Sequence, residues 1–239
     1  MQLPPLFDGK IIRRYKRFLA DVELDDGRMV TAHCPNTGSM RGCWEAGAPV
    51  QLSHSDNPRR KLAWTLERVD MGQGWIGVHT GRTNPVVGEA LRAGGIASLA
   101  GYTEVRGEAA CQLPGLPRSR LDFHLSDGPA ADVWVEVKNV TLWDGGERLL
   151  FPDAVTERGL KHLELLAAVC ARGARGMMIF ALNRPEGNSF APASAIDPAY
   201  ASTLRRVVRE VGVEVIALRI QHLPQALRLG EEVALQLEG

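Results

Sequence analysis

The apolar residues of this chain follow two different spacings. Up to about residue 82 they form short segments of β-compatible residues, separated by turn signals such as Asp26-Gly27 and Asn57-Pro58. Short strands at this spacing are typical of a small β-barrel or sandwich. The predicted strands are Lys10–Tyr15, Leu19–Leu24, Met29–His33, Pro49–Ser53, Ala63–Asp70 and Trp75–His79.

After Arg82, helix-length patterns alternate with strand patterns. Pro85–Ala93 predicts a helix, with Asn84 as its N-cap and Pro85 as its first helical residue. The order that follows indicates a mixed sheet flanked by helices. We therefore predict a barrel domain over residues 1–82 and an α/β domain over residues 83–239. The further predicted elements are strands Glu104–Cys111, Arg120–Leu125 and Val133–Val140, helix Ala154–Ala171, strand Gly176–Leu182, helix Pro198–Val211 and strand Val213–Leu218.

The charge is unevenly distributed between these two parts. The whole chain of 239 residues has a formal net charge of zero, which argues weakly against nucleic-acid binding. Residues 1–82, however, hold 12 Lys and Arg against 9 Asp and Glu, whereas residues 83–239 hold 16 against 19. Such an asymmetry hints at a basic binding surface joined to a second unit.

The cysteine pattern and the apolar runs indicate the compartment. The four cysteines are scattered without CxxC pairing, which favours reduced thiols over a disulfide framework. No apolar run reaches membrane-spanning length, and the first residues do not read as a secretory signal. We expect a cytoplasmic protein without a membrane partner.

The sharpest chemical signal joins two neighbouring predicted strands. Asp122 lies in SRLDF, and Glu136 and Lys138 lie two apart in VWVEVK, so they share one face of their strand. If the strands form a hairpin, Asp122 lies beside Glu136. Two close carboxylates are costly unless a cation lies between them, and Mg²⁺ or Mn²⁺ takes such oxygen ligands. A bare match of this kind also occurs on ordinary solvated hairpins.

Two further acidic residues are weaker candidates. Glu89, on the first predicted helix of the α/β domain, is a tentative additional metal ligand. Glu108 has the same standing, since its strand directly precedes that of Asp122. For both, an exposed structural glutamate is the more common explanation.

Basic residues occur in three clusters that suit phosphate contact. Two lie in the first part of the chain, where they are interleaved with aromatic residues, as on barrels that bind nucleic acid. The third lies on the helix after the Glu136 strand, at spacings that place its members on one face. A solvated surface explains the first two clusters equally well and the third slightly better. The predicted nucleic-acid contacts are Arg13, Arg14, Lys16, Arg17, Arg59, Arg60, Lys61, Arg158, Lys161 and His162.

The segment His33–Met40 reads as a tight, turn-rich loop. Asn36, Thr37 and Ser39 are expected to bond backbone groups within it. A Cys–His hydrolase site here is disfavoured, because adjacent residues on an extended segment point in opposite directions. Phosphate contact by this loop is a lesser alternative.

Several blocks together resemble the sugar fermentation stimulation protein A (SfsA) family. They include TAHCPNTGSM, LSHSDNPRRKLAWTLE, VEVKNVTL and FPDAVTERGLKHLELL, and the resemblance runs from Arg14 to about Tyr200. It implies an N-terminal OB-fold-like barrel and a PD-(D/E)XK nuclease-like second domain. It also implies DNA binding without strong sequence preference and a link to maltose metabolism genes. The nuclease motif carries over onto Asp122, Glu136 and Lys138, although Leu121 stands where the motif has proline.

Three functions are compatible with these observations. The first is a Mg²⁺- or Mn²⁺-dependent nuclease built on Asp122, Glu136 and Lys138. The second is a DNA-binding regulator of sugar metabolism genes that keeps the nuclease fold without turnover. The third, ranked last, is a hydrolase that uses His33 and Cys34. The sequence does not determine the oligomeric state.

Overall fold

Six strands form the first part of the molecule in a computed structural model that describes residues 1–238. β1 pairs with β2 and β4, β2 pairs with β3, and β4 pairs with β5, all antiparallel. β3 then lies parallel to β5, so five strands close into a barrel, and β6 extends the sheet beside β5. The strands are β1 (Leu6–Tyr15), β2 (Leu19–Leu24), β3 (Met29–His33), β4 (Pro49–His54), β5 (Trp64–Asp70) and β6 (Trp75–Gly77).

The barrel follows from the alternation of apolar and polar residues along these strands. Ile11, Val22 and Leu52 are fully buried in its interior, while Lys10 and Glu23 face solvent. The hairpin between β1 and β2 turns through Lys16 and Arg17, which have φ angles of 46° and 64°. Together with Phe18 they form the three-residue connection between the strands, and both basic side chains are exposed.

The second part is a mixed sheet with helices on both faces. Its six strands lie in the order β15-β14-β12-β9-β8-β7, with β9, β12 and β14 mutually parallel, and a smaller sheet has the order β10-β11-β13-β16. The strands are β7 (Glu104–Cys111), β8 (Ser119–Ser126), β9 (Val133–Val140), β10 (Leu142–Trp143), β11 (Arg148–Phe151), β12 (Arg175–Leu182), β13 (Ser189–Pro192), β14 (Glu214–Leu223), β15 (Ala226–Glu232) and β16 (Ala234–Leu235). The helices are α1 (Thr83–Arg92), α2 (Glu157–Cys170) and α3 (Pro198–Arg206), with 3₁₀ turns at Thr80–Arg82 and Ala97–Leu99 and a π turn at Val207–Val211.

The central strands of this sheet are buried on both faces, which explains their continuous apolar runs. On one face, Val135 and Ile179 pack with Val87 of α1. On the other, Phe180 packs with Leu163 of α2. The sheet is therefore enclosed between α1 and the pair α2 and α3, and polar residues of its middle strands need a specific partner.

The two parts pack closely on each other. Leu3 precedes the barrel but belongs to the apolar core of the second domain. Arg68 of β5 is only 1% exposed, and its guanidinium donates 2.8 Å hydrogen bonds to the carbonyls of Leu223 and Pro224. Ser39 donates to the carboxylate of Asp153. These contacts fix the barrel against the sheet and form the walls of a cleft between them.

The predicted barrel followed by a mixed sheet is confirmed. Strands Leu19–Leu24, Met29–His33, Glu104–Cys111 and Val133–Val140 have the predicted bounds. The short strands β10, β11, β13, β15 and β16 were not predicted. They are short or lie at sheet edges, so their own residues show little alternation and the pairing partner determines their structure.

Two predicted helix starts are wrong. The first helix begins at Thr83 with Arg82 as N-cap, so Asn84 is not the cap and Pro85 is the third helical residue. Proline is tolerated there because first-turn amides have no intrahelical acceptor. The second begins at Glu157, where the Thr156 side chain accepts from the amide of Gly159, rather than at Ala154. Among residues 1–238, no helix has the length and apolarity needed to cross a membrane.

Candidate metal and phosphate site

Asp122 lies where β8 and β9 separate. The last paired residues of their ladder on this side are Phe123 and Val135. Beyond them, the amide of Val137 donates a 2.7 Å hydrogen bond to Asp122 Oδ2. Asn84 Nδ2 donates a second 2.7 Å bond to Asp122 Oδ1. The carboxylate thus takes the place of a main-chain acceptor and is oriented by two elements.

Glu136 is held on the other side of this gap. It is 3% exposed, and one oxygen, Oε1, contacts both Lys138 Nζ and His162 Nδ1. Lys138 Nζ and His162 Nδ1 lie 3.5 Å apart. Lys138 shares the strand face of Glu136, as predicted, whereas Val135 and Val137 face the opposite core. A buried carboxylate with two basic partners is the arrangement that burial of charge requires.

The two carboxylates have opposite pKa shifts. Burial raises the pKa of Asp122 above its ordinary value, and the charge of Glu136 raises it further. Burial also acts to raise the pKa of Glu136, but the hydrogen bond from His162 and the charge of Lys138 outweigh it, so this pKa is lowered. Glu136 is therefore ionised at neutral pH and repels Asp122. A cation between them would relieve that repulsion.

A buried hydroxyl lies close to this pair. Tyr200 of α3 is fully buried, and within residues 1–238 its hydroxyl has no hydrogen-bond partner. Burial, followed by the charges of Glu136 and Asp197, raises the pKa of Tyr200 far above its ordinary value. The phenol stays protonated and provides a neutral wall behind Glu136.

The donor set fits a divalent ion only in part. Asp122 and Glu136 supply the carboxylate oxygens that Mg²⁺ and Mn²⁺ prefer, and such ions complete their shell with water and phosphate oxygens. In the described chain, however, no three His, Cys, Asp or Glu side chains are grouped to hold a metal. The residues therefore fit an ion that depends on substrate or water for most of its ligands.

Neither Glu89 nor Glu108 lies with Asp122 and Glu136. The Glu89 side chain is 63% exposed, and its carboxylate pairs with the N-terminal ammonium at 2.9 Å. Glu108 is exposed on β7. Both positions match the exposed-glutamate explanation.

Most predicted phosphate-binding residues lie on the surface. Seven of them are exposed basic side chains. Arg13 is exposed as well, but it pairs with Asp21 at 2.7 Å and its guanidinium lies over the Tyr15 ring. Arg14 differs, because its guanidinium donates to the carbonyls of Asn36 and Gly38 and so holds the loop between them. The seven are Lys16, Arg17, Arg59, Arg60, Lys61, Arg158 and Lys161.

His162 has a different place from the one its spacing suggested. It was grouped with Arg158 and Lys161 on a phosphate-binding helix face, but its side chain is 8% exposed and contacts Glu136. Arg158 and Lys161 are exposed. The grouping failed because residues at i+3 and i+4 diverge in direction, and His162 falls on the buried side of α2.

The loop at residues 33–40 is structural rather than nucleophilic. Cys34 is fully buried and its sulfur lies 3.4 Å from that of Met40. Burial raises the pKa of the Cys34 thiol, so the thiol stays neutral and unreactive. As expected from the turn signals, Asn36 Oδ1 accepts the amide of Gly38.

Two residues of the site escaped sequence reasoning. Asn84 was interpreted as a helix cap, since it directly precedes a proline, yet its amide orients Asp122. Tyr200 carried no signal beyond its position on an amphipathic helix. Only the packing of α3 against α2 places its ring beside Glu136.

Comparison with known proteins assigns the family. Residues 12–78 match the model described as "SfsA N-terminal OB domain", and residues 81–226 match "Sugar fermentation stimulation protein RE domain". The sugar fermentation stimulation protein homolog of Geobacter sulfurreducens is 50% identical over 234 residues, which cover 98% of this chain and 97% of that protein. Its counterpart in Acidithiobacillus ferrooxidans is 45% identical, with 96% and 97% covered.

A solved structure shares the fold. Pyrococcus furiosus SfsA, solved in complex with Ca²⁺, superposes with a TM-score of 0.85 at 24% identity, covering 99% of this chain and 98% of that one. Both family models and the full-length identity of the relatives lead to the same assignment. The chain belongs to the sugar fermentation stimulation protein family.

Proposed function

We propose that this protein binds DNA and hydrolyses phosphodiester bonds with a divalent ion, Mg²⁺ or Mn²⁺, held by Asp122 and Glu136. The observation that carries this proposal is the meeting of Asp122, Glu136 and Lys138 at the point where β8 and β9 separate. Strand separation leaves the Val137 amide free to orient the Asp122 carboxylate beside Glu136.

Each residue has a distinct role in this proposal. When bound, the ion would polarise a phosphoryl oxygen and lower the pKa of a water molecule. Asp122 and Glu136 provide its protein oxygens. The Lys138 ammonium stabilises negative charge that develops on the phosphate. His162 keeps the Glu136 carboxylate in position, and Asn84 does the same for Asp122.

The comparisons and the surface charge support this choice. The Pyrococcus furiosus relative was solved with Ca²⁺, an ion that takes oxygen ligands like those offered here. Lys16 and Arg17 at one barrel hairpin, and Arg59 and Lys61 in the β4–β5 loop, are exposed cations suited to phosphates. All four cysteines are free thiols, in keeping with the proposed cytoplasmic location.

A second function is favoured by one specific observation. Glu136 Oε1 is already occupied by Lys138 and His162, and Glu136 is almost completely buried. An ion must compete with the Lys138 ammonium for this carboxylate. This favours, as the alternative, a DNA-binding regulator of sugar metabolism genes that retains the site without turnover.

Titration of Mn²⁺ followed by a cleavage assay separates the two. Wild type is compared with Glu136→Gln and with Glu89→Gln, the same change at an exposed glutamate. Cleavage is assayed on single-stranded, duplex and branched nucleic acid. If both metal binding and cleavage are lost in Glu136→Gln and kept in Glu89→Gln, the result supports hydrolysis. Metal binding without cleavage supports the non-catalytic function. Absence of Mn²⁺ binding in wild type refutes the metal site.

A further inference from the structure

A cavity of about 160 Å³ lies between the barrel and the sheet. The loop Asn36–Gly38 of the barrel domain forms one wall. Asn139, Thr141, Phe151 and Asp153 of the second domain form the facing wall. Neither domain provides the cavity alone, so its shape depends on how the two are packed.

The loop wall is held in place before any ligand binds. Arg14 bonds the carbonyls of Asn36 and Gly38. Across the cavity, Asp153 Oδ2 accepts the amide and the hydroxyl of Ser39 at 2.7 and 3.1 Å. A Cβ atom on Gly38 would lie 2.4 Å from that oxygen, so a larger residue there would displace the Asp153 carboxylate. A wall fixed in this way loses little entropy on binding.

Several polar atoms of the facing wall are left for a ligand. Asn139 Oδ1 accepts from Thr83 Oγ1 and Asn183 Nδ2, which fixes the amide and leaves its Nδ2 as a donor. Asp153 uses Oδ2 for Ser39, which leaves Oδ1 as an acceptor. The Thr141 carbonyl is taken by Arg184, and its hydroxyl remains available.

The lining chemistry excludes an anion and favours a flat, neutral ring. No Lys or Arg lines the cavity, and Asp153 is its one charged side chain among the described residues. Phe151 and two leucines, Leu142 and Leu150, supply apolar surface. A volume of about 150 Å³ accommodates a benzene-sized ring. An uncharged ring with donors and acceptors along its edge is the chemistry of a nucleobase.

The cavity adjoins the candidate phosphate site. Phe151, which lines the cavity, packs against Phe180 with ring centroids 5.7 Å apart, and Phe180 is the register partner of Lys138 on the neighbouring strand β12. The Phe151 ring packs edge-on against Tyr200, with centroids 5.2 Å apart, and Tyr200 lies within the field of Glu136. A nucleotide whose phosphate lies at Lys138 would therefore have its base within reach of the cavity.

We propose that this cavity receives one unpaired nucleobase of a strand whose phosphate lies at Lys138. This inference rests on the proposed function and defines its substrate class. A base within a duplex has its pairing edge occupied and is stacked, so it cannot enter. The substrates are single strands, strand ends or flipped-out nucleotides.

Fluorescence of 2-aminopurine in a single-stranded DNA 12-mer tests this directly. Binding is measured in EDTA, where no divalent ion is free and no cleavage occurs, and is compared with the matching blunt duplex. Contact with phosphates alone would favour the duplex, because its charge density is higher. We expect at least tenfold tighter binding of the single strand, with a change in emission at one position.

Variants assign the signal to the cavity. Thr141→Val removes one hydroxyl at nearly constant shape, and Thr37→Val does so at an exposed position of the loop wall, where folding is not at risk. Both should reduce the emission change several-fold. Thr103→Val, on the exposed turn before β7, is the matched control and should behave as wild type. Equal affinity for duplex and single strand, or an unchanged signal in both cavity variants, overturns the proposal.

The same assay separates this inference from the proposed function. Single-strand preference and the emission change are measured on the wild type in EDTA, so they do not depend on a bound divalent ion or on hydrolysis. If they are observed while wild type with Mn²⁺ cleaves nothing, hydrolysis fails and the base pocket stands. If cleavage occurs without single-strand preference, the base pocket fails and hydrolysis stands.

Discussion

His162 contacts the same carboxylate oxygen of Glu136 that Lys138 contacts, although His162 lies 26 residues further along the chain on a different element. Glu136 is thus held by its own strand and by α2. The site geometry consequently depends on the packing of that helix against the sheet. A histidine grouped by sequence with phosphate-binding residues is a positioning residue for a buried acid.

Loss of this contact should weaken the site without abolishing the fold. In His162→Ala, Glu136 keeps only Lys138, and we expect a roughly 10- to 100-fold loss in Mn²⁺ affinity or single-turnover cleavage, as for other residues that orient metal ligands. His162→Gln, which can still donate to the carboxylate, should recover part of the loss. Lys161→Ala, at the exposed neighbouring position, serves as the control for metal affinity. Equal Mn²⁺ affinity in His162→Ala and wild type would contradict this role.

The ionised Asp122 carboxylate should lower the free energy of unfolding at neutral pH. Its pKa is raised by burial and by the charge of Glu136, so the folded state holds its proton more tightly than the unfolded state does. Stability is therefore lost as pH rises from the ordinary carboxyl pKa through the raised value. We expect Asp122→Asn to raise the Tm at pH 7 by roughly 2–4 °C, the shift that about 1 kcal/mol gives in a protein of this size.

The pH dependence supplies the control for that prediction. Near pH 3, Asp122 is protonated in both states, so the difference in Tm between variant and wild type should shrink. Calorimetry at several pH values measures it. A gain that is constant with pH would show that the charge of Asp122 is not its cause.

DNA affinity should depend on exposed cations of the barrel and not on Arg14. Charge reversal in Arg17→Glu and Lys61→Glu should weaken binding and lower the slope of log affinity against log salt by about 0.9 for each lost duplex phosphate contact. Arg228→Glu, an exposed change on β15, is the matched control. Titrations at several salt concentrations measure the slope, and an unchanged slope in the barrel variants would place the DNA surface elsewhere.

His222 should make the protein sensitive to acid. Burial, together with the charge of Arg68, lowers the pKa of His222 to about 3, and its Nε2 lies 2.7 Å from Asn183 Oδ1. Between about pH 6.5 and pH 3, His222 binds a proton in the unfolded chain but not in the folded state. The free energy of unfolding should therefore decrease as the pH is lowered through this window, by at most about 1.4 kcal/mol per pH unit.

His222→Gln should flatten this dependence. Urea unfolding at pH 8, where the histidine is neutral in both states, gives the cost of the lost packing. Unfolding at pH 5 then gives the titration contribution as the remaining difference. An identical pH slope in variant and wild type would exclude His222 as the source.

Much of the fold follows from local patterns in the sequence. Alternation in Leu19–Leu24 and Met29–His33, and the apolar run around Val133–Val140, predict strands with the observed bounds. The spacing of Glu136 and Lys138 on one strand face follows from the same periodicity. The family resemblance adds the roles that this pattern suggests for Asp122, Glu136 and Lys138.

Other features depend on residues far apart in sequence. Short strands such as β13 and β16 form because a neighbour offers a ladder, and their own residues show no alternation that predicts them. Arg14, counted as a phosphate contact, is turned inward because the carbonyls of Asn36 and Gly38 need its donors. Exposure of a basic side chain is a property of packing, which periodicity does not report.

The sequence by itself determined the order of the longer strands and the helices, the charge asymmetry between the two parts and the one strand that carries Glu136 and Lys138. Only the tertiary structure decided that His162 and Asn84 orient the acids, that Glu89 stays on the surface and that a cavity opens between the domains. The reason is physical: side-chain direction along one element follows from its local period, whereas contacts between elements follow from how separate apolar faces are buried together.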